Sequence, residues 1–337
     1  MDEVKPVSSA NLKSPQGPKC ILSGVQPSGK LHLGNYFGAV KQHIAAQGDG
    51  ECYYFIADYH ALTTVHDAAT LRQNVLDVAL DYFALGLDPE KTAFFRQSDV
   101  PEVCELSWIL STVAPMGLLE KAVSYKEKVD KGLDSSVGLF TYPVLMAADI
   151  LAYRSHLVPV GKDQVQHLEI TRDLAVKFNN RFGDTFPLPD YRLTPARKVP
   201  GTDGQKMSKS YGNTIDIFAE GKALKKSVMG VVTDSKTVEE PKDPATCNVF
   251  ALHSLFATPE QGEALATKYR AGGMGYGVAK TELLSLIDAY FAQARERRRE
   301  LASDMGQIQQ WLRKGAEKAR ATAGATLELV RSKCGLR

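Results

Sequence analysis

From Lys19 onward, short apolar runs alternate with stretches of helical spacing. Cys20-Ile21-Leu22-Ser23 is an unbroken run of the kind a strand buried on both faces carries. A loop punctuated by Gly and Pro follows over 24–33, and Gly34 to Ala46 reads as a helix. Cys52 to Ala57 is a second strand. Asp67 is placed as an N-cap, and Leu71, Val75, Val78 and Tyr82 then recur at helical spacing. Gly86 and Pro89 end that helix, and Thr92 to Arg96 makes a third strand. Strand, helix, strand, helix, strand implies right-handed crossovers and a parallel α/β sheet. Residues 102–152 read as helical, Leu157 to Val160 as a short strand ending at Gly161, and Asp163 to Phe182 as a further helix. Residues 187–205 carry Pro187, Pro189, Pro195, Pro200, Gly201 and Gly204 and read as loop. Beyond about Ile215 the strand pattern fades and the chain reads as mostly helical, with no internal repeat.

Open parallel sheets bind ligands beyond the carboxyl ends of their strands. The loop at 24–33 and Asp58-Tyr59-His60 both follow strands and are placed at such ends.

The length of 337 residues fits two domains, and 44% hydrophobic with 24% charged residues supplies an ordinary globular core. A net charge of +2 neither demands nor excludes a nucleic-acid partner; a local basic patch would have to serve one. The five cysteines are odd in number and none has Cys-x-x-Cys spacing, which points to single reduced thiols rather than a disulfide framework or zinc site. No apolar run reaches a membrane-spanning length. Residues 1–18 are polar and lack the apolar stretch of a signal peptide, and they read as a disordered tail.

Two segments carry chemistry. Ser23-Gly24-Val25-Gln26-Pro27-Ser28-Gly29-Lys30-Leu31-His32-Leu33-Gly34-Asn35 runs from a strand into a helix. Its glycines allow close approach of a ligand, and the helix start offers free N–H groups to phosphate. Lys206-Met207-Ser208-Lys209-Ser210 closes a Gly- and Pro-rich loop and sets two lysines beside hydroxyls, a pattern suited to a polyphosphate. Taken alone, the first is also compatible with a plain turn and the second with a solvated basic loop.

Together and in this order, His32-Leu33-Gly34-Asn35 and Lys206-Met207-Ser208-Lys209-Ser210 resemble the paired ATP-binding motifs of class I aminoacyl-tRNA synthetases. Asn35 in place of the more usual final His is shared by the tryptophan branch of that family. Thr141 to Leu151, Val158 to Gln164, His167 to Asp173 and Gly275-Tyr276-Gly277 extend the resemblance over most of the chain. It implies a Rossmann-like catalytic domain over 19–212, a helical anticodon-recognition domain over 213–304, and C-terminal helices over 305–337 that pack back on the catalytic domain.

The implied activity is formation of tryptophanyl-adenylate from tryptophan and ATP, with Mg²⁺ carried by the nucleotide, then transfer to tRNA(Trp). A homodimer in the cytoplasm is expected. Gln26, Pro27, Ser28, His32, Gly34, Asn35, Gly161, Lys162, Asp163, Val199, Lys206, Met207, Ser208, Lys209 and Ser210 are the implied ATP site. Lys126, Lys206 and Lys209 are the implied catalytic cations. Asp149 would accept the indole N–H, with Tyr142, Met146, Gln164, His60, Val158 and Val160 around it. A carboxylate following the apolar run Leu145 to Ala148 is costly unless partnered, which fits that role and also a helix-capping or salt-bridged Asp. Arg295, Arg297, Arg298 and Arg299 are candidate phosphate contacts. The tyrosine branch has the same fold, and a small-molecule nucleotidylyltransferase or a non-catalytic RNA-binding paralogue would share parts of the pattern.

Overall fold

The computed structural model describes residues 19–122, 136–193 and 199–336. The tail expected over 1–18 and the candidate Lys126 lie outside them. Five strands, β1 (Cys20–Val25), β2 (Glu51–Ile56), β3 (Thr92–Arg96), β4 (Leu157–Val160) and β5 (Asp190–Leu193), form one sheet in the order β3-β2-β1-β4-β5. Every pairing is parallel. The chain steps outward from β1 to β3, then returns to lay β4 on the other side of β1. The carboxyl ends of β1 and β4 therefore flank the point where strand order reverses, the expected ligand crevice of such a sheet.

Three details depart from the sequence reading. β5 lies inside the stretch read as loop. Its Asp190, Arg192 and Leu193 are exposed and prolines precede it, so an edge strand here has no alternating apolar pattern to reveal it. The helix expected over 34–46 starts one residue earlier and is not uniform: α1 (Leu33–Asn35) passes into a π-helical turn at Tyr36–Val40 and then α2 (Lys41–Ala46). The strand at Cys20 also continues through Gly24 to Val25, where a Cβ on Gly24 would come within 2.7 Å of the Phe55 ring.

The remaining helices are α3 (Asp58–Ala61), α4 (Ala68–Ala84), α5 (Glu102–Ser111), α6 (Met116–Leu119), α7 (Val137–Ala152), α8 (Val165–Phe182), α9 (Gly221–Met229), α10 (Asn248–His253), α11 (Pro259–Ala271), α12 (Tyr276–Ala302) and α13 (Met305–Cys334). The expected N-cap at Asp67 is present: its carboxylate accepts the Thr70 N–H at 2.7 Å.

Strand alternation divides the interior. Ile21, Cys52, Tyr54, Ile56 and Phe94 point into one core with α4 and α12; Leu22, Tyr53, Phe55, Ala93 and Phe95 point into the other with α5, α7, α8 and α13. Because both faces are covered, the strands read as apolar runs rather than as alternating ones. The last helix lies across β3. A Cβ on Gly315 would fall 2.2 Å from the Phe94 carbonyl oxygen, so only glycine permits this approach. Lys314–Glu90, Arg320–Glu102 and Arg331–Glu105 tie the same helix down along its length.

Candidate active site

The turn after β1 and the lysine-bearing loop meet. Leu33 N–H donates to the Ile215 carbonyl at 3.0 Å and Ile217 N–H to the Leu31 carbonyl at 3.2 Å. The segment just beyond the loop is thus stitched to the turn by backbone hydrogen bonds. Lys209 Nζ donates to the Ser28 carbonyl at 3.0 Å and to its Oγ at 3.3 Å. A Cβ on Gly34 would lie 2.9 Å from the His32 ring and 3.4 Å from Met207 Cβ, so Gly34 is the point where turn, ring and loop converge.

His32 is the N-cap of α1. Its Nδ1 accepts the Asn35 N–H at 3.4 Å while Asn35 Oδ1 accepts the His32 N–H at 3.2 Å, a reciprocal capping box. Burial, with the nearby Lys209 charge, lowers the His32 pKa to about 4. The ring is therefore neutral at pH 7. With Nδ1 accepting, the proton sits on Nε2 and is available as a donor. Burial also lowers the Lys209 pKa, opposed by the charges of Asp81 and Asp216.

Asn213 is not singled out by the sequence pattern, yet it organises the loop. It is buried; Oδ1 accepts the Ser208 N–H at 2.8 Å, and Nδ2 donates to Asp203 Oδ1 at 2.7 Å and to the Lys206 carbonyl at 3.1 Å. Its position just after the lysines is the signal that could have found it. Val199 lies buried on the other side, and its carbonyl accepts the Met207 N–H at 3.0 Å. Gln26, Lys206 and Ser210 are exposed, Pro27 is buried, and Gly161 and Lys162 open the single turn before α8.

The second group of candidates gathers at the ends of β2 and β3. Asp149, on α7, is 2% exposed. His60 Nε2 lies 2.9 Å from Asp149 Oδ2, and Gln97 Nε2 donates to both carboxylate oxygens at 2.9 Å. Burial raises the Asp149 pKa, and its hydrogen bond to His60 opposes the rise. Gln97 follows directly on β3, a carboxyl end of the kind that points to a site, and is a functional candidate that sequence reasoning missed.

A cavity of about 390 Å³, within the size range of small-ligand sites, opens at His60. Tyr59, His60, Leu62, Cys104, Thr141 and Tyr142 are among its lining. Asp149 stands one hydrogen bond behind that wall, reached through His60. Tyr142 hydroxyl and His167 Nε2 are hydrogen-bonded, and the Tyr142 and His60 rings are 6.1 Å apart, edge to face. Met146, Val158 and Val160 belong to the core behind the cavity, and Gln164 closes the turn before α8.

The arginine run of α12 is engaged within the chain. Arg295 is buried, donating to the Ile217 carbonyl at 3.1 Å and to Asp288 at 2.6 Å. Arg298 pairs with Asp81 at 2.6 Å and Asp77 at 3.4 Å, and Arg299 with Glu220 and Glu296. Arg297 is exposed. Three of the four candidate phosphate contacts are thus committed to carboxylates. The physical reason is helical geometry: residues three and four apart share the face that packs on the segment after the loop.

Comparison with known proteins agrees with this arrangement. The family described as tRNA synthetases class I (W and Y) matches residues 13–292. Tryptophan–tRNA ligase of Rhodopirellula baltica is 55% identical over 318 residues, covering 94% of this chain and 99% of that protein. The crystal structure of tryptophanyl-tRNA synthetase from Campylobacter jejuni complexed with ADP and tryptophan superposes with a TM-score of 0.89 at 51% identity, covering 94% and 99% of the two chains. That from Mycoplasma pneumoniae gives 0.79 at 30% identity, covering 95% and 98%. With the fold, the paired motifs and these relatives in agreement, the chain belongs to the class I tRNA synthetases of the W and Y family.

Proposed function

We propose that this chain is a tryptophan–tRNA ligase. It joins tryptophan to the α-phosphate of ATP, releasing pyrophosphate, and passes the acyl group to the 3′-terminal ribose of tRNA(Trp), releasing AMP. The observation that carries this reading is the meeting of the two motifs, with Lys209 reaching the Ser28 carbonyl and Met207 against Gly34.

The tryptophan carboxylate is already a nucleophile, so the first step asks for position and charge neutralisation rather than a base. His32 with its neutral ring and Gly34 with its bare backbone suit the nucleotide. Ser28, Ser208 and Ser210 suit hydrogen bonds to phosphate and Gly161 the approach of the ribose, whose hydroxyls Asp163, its side chain outside the described residues, would accept. Lys206 and Lys209, joined by Lys126, would balance the pyrophosphate as it leaves, with Mg²⁺ arriving on ATP. Asp149 would accept the indole N–H within a pocket completed by His60, Tyr142, Met146, Gln164, Val158 and Val160. A site that needs a ligand N–H can reject an analogue lacking it by about 10⁴ or more.

Catalytic residues would lie within 19–212, and the helices over 213–304 would read the anticodon. A homodimer is supported by exposed Leu62, Trp108 and Val137, which line or adjoin the lining of the cavity and together make an apolar patch there. Five free cysteines suit the reducing cytoplasm, and among the described residues no helix is long and apolar enough to cross a membrane. Pyrophosphate exchange measured with each of the twenty amino acids tests the whole reading. Only tryptophan should support exchange. Exchange with tyrosine alone would move the chain to the sibling specificity, and no exchange with any would overturn it.

A further inference from the structure

The amide of Gln97 is fixed by what surrounds it. Its Oε1 faces two donors, the backbone N–H groups of Tyr59 at 3.2 Å and His60 at 3.4 Å. Its Nε2 faces two acceptors, the oxygens of Asp149, both at 2.9 Å. A flipped amide would set N–H against N–H and oxygen against carboxylate, so the network admits one orientation. Gln97 is 1% exposed, which shields these bonds from competition by bulk solvent.

The carboxylate it holds is nearly saturated. A carboxylate offers about four acceptor positions. Among the described residues, Gln97 takes one on each oxygen and His60 Nε2 takes a second on Oδ2. One position remains, on Oδ1. The same glutamine joins this carboxylate to the start of α3, because the two N–H groups it accepts belong to the residues that carry the cavity wall and the His60 ring.

We propose that Gln97 is a specificity-determining positioning residue. By clamping Asp149 from one side while anchoring Tyr59 and His60 on the other, it leaves a single acceptor position on Oδ1 for the N–H of an aromatic heterocycle. The proposal rests on the tryptophan reading of the site and deepens it. Tyrosine and phenylalanine carry no ring N–H to meet that acceptor. Gln97 itself touches no substrate; it acts through the carboxylate.

Two variants separate this role from a merely structural one. Gln97→Glu keeps an oxygen for the Tyr59 and His60 N–H groups but replaces the donor to Asp149 by a second carboxyl oxygen. Gln97→Met removes both ends at similar volume. Amino-acid-dependent pyrophosphate exchange is measured on the full chain with tryptophan, tyrosine and N1-methyltryptophan, which retains the ring and lacks the N–H. The expected result for both variants is a rise of about 10- to 100-fold in KM for tryptophan, the size of a lost hydrogen bond to a charged group. The kcat and the KM for ATP should move far less, and the preference over N1-methyltryptophan should shrink. A Gln97→Glu protein with the parent KM for tryptophan and the parent preference overturns the proposal, as does a loss confined to Gln97→Met that raises the KM for ATP equally. Should neither variant fold, the parent protein decides: equal use of tryptophan and N1-methyltryptophan overturns the open position on Oδ1. Absence of any tryptophan-dependent exchange in the parent is a different failure, that of the activity itself.

Discussion

Lys209 Nζ sits 3.0 Å from the carbonyl oxygen of Ser28, bridging residues far apart in the chain across the carboxyl edge of the sheet. In the proposed reaction, a charge held against this turn by one carbonyl and one hydroxyl would face the departing pyrophosphate. Burial lowers the affinity of this amine for its proton, so a polyphosphate entering the site would strengthen it as a cation. Lys209→Ala should slow adenylate formation by about 10² or more. Tryptophan binding, followed by equilibrium dialysis without ATP, should change little. Near-parental pyrophosphate exchange in that variant would remove Lys209 from the chemistry.

Asp149→Ala should raise the KM for tryptophan and weaken rejection of tyrosine and phenylalanine. It would also leave the Gln97 amide and the His60 ring without their buried acceptor, at a cost of about 1–3 kcal/mol each. Competitive exchange assays with the three amino acids measure the discrimination, and urea melts measure the stability. Unchanged discrimination together with a large loss of stability would make Asp149 purely structural.

The acid limb of stability should contain a contribution from His32. Its folded pKa of about 4 lies below the ordinary histidine value of 6.5. Between those values the unfolded chain binds the extra proton, so stability from this group falls as pH drops from 6.5 towards 4. Asp81 works in the opposite sense. Its pKa, raised to about 6 chiefly by burial, makes the folded chain the better proton binder between 3.8 and 6. His32→Asn keeps a capping side chain and removes the titration, so its unfolding free energy from urea melts should fall less steeply with acid, by up to about 3 kcal/mol in total across the window. Parallel curves for the two proteins would contradict the neutral ring.

Because Arg295, Arg298 and Arg299 hold α12 to the rest of the chain, their removal should register as stability rather than RNA affinity. Arg298→Ala strands the buried Asp81 carboxylate and should cost about 1–3 kcal/mol. The slope of tRNA affinity against salt should stay where it was, since neutralising a cation that meets a phosphate would flatten it by about one. A flattened slope with stability intact would return these arginines to the RNA interface.

If two copies associate through the apolar surface beside the cavity, Trp108→Glu should give a monomer by light scattering. An unchanged mass would place any interface elsewhere.

Much of this was legible in the chain. The apolar runs at 20–23, 52–57, 92–96 and 157–160 marked the strands because a sheet covered on both faces needs every strand position greasy. The paired motifs and the buried Asp149 announced a nucleotide and a partnered carboxylate. Those features are local: strand burial, capping and turn chemistry are written within a few residues of one another. What only the tertiary structure decided is pairing across distance. β5 carries no apolar pattern because most of its side chains are exposed and backbone bonds to β4 hold it, unlike the other edge strand, β3, which α13 covers. Gln97 and Asn213 look like ordinary polar loop residues until folding brings two N–H groups and a carboxylate to one and a lysine loop to the other. The arginine run offered candidate phosphate contacts, yet carboxylates on α4 and α12 and at Glu220 engage it, because charge along a sequence says nothing of which opposite charges the fold sets beside it.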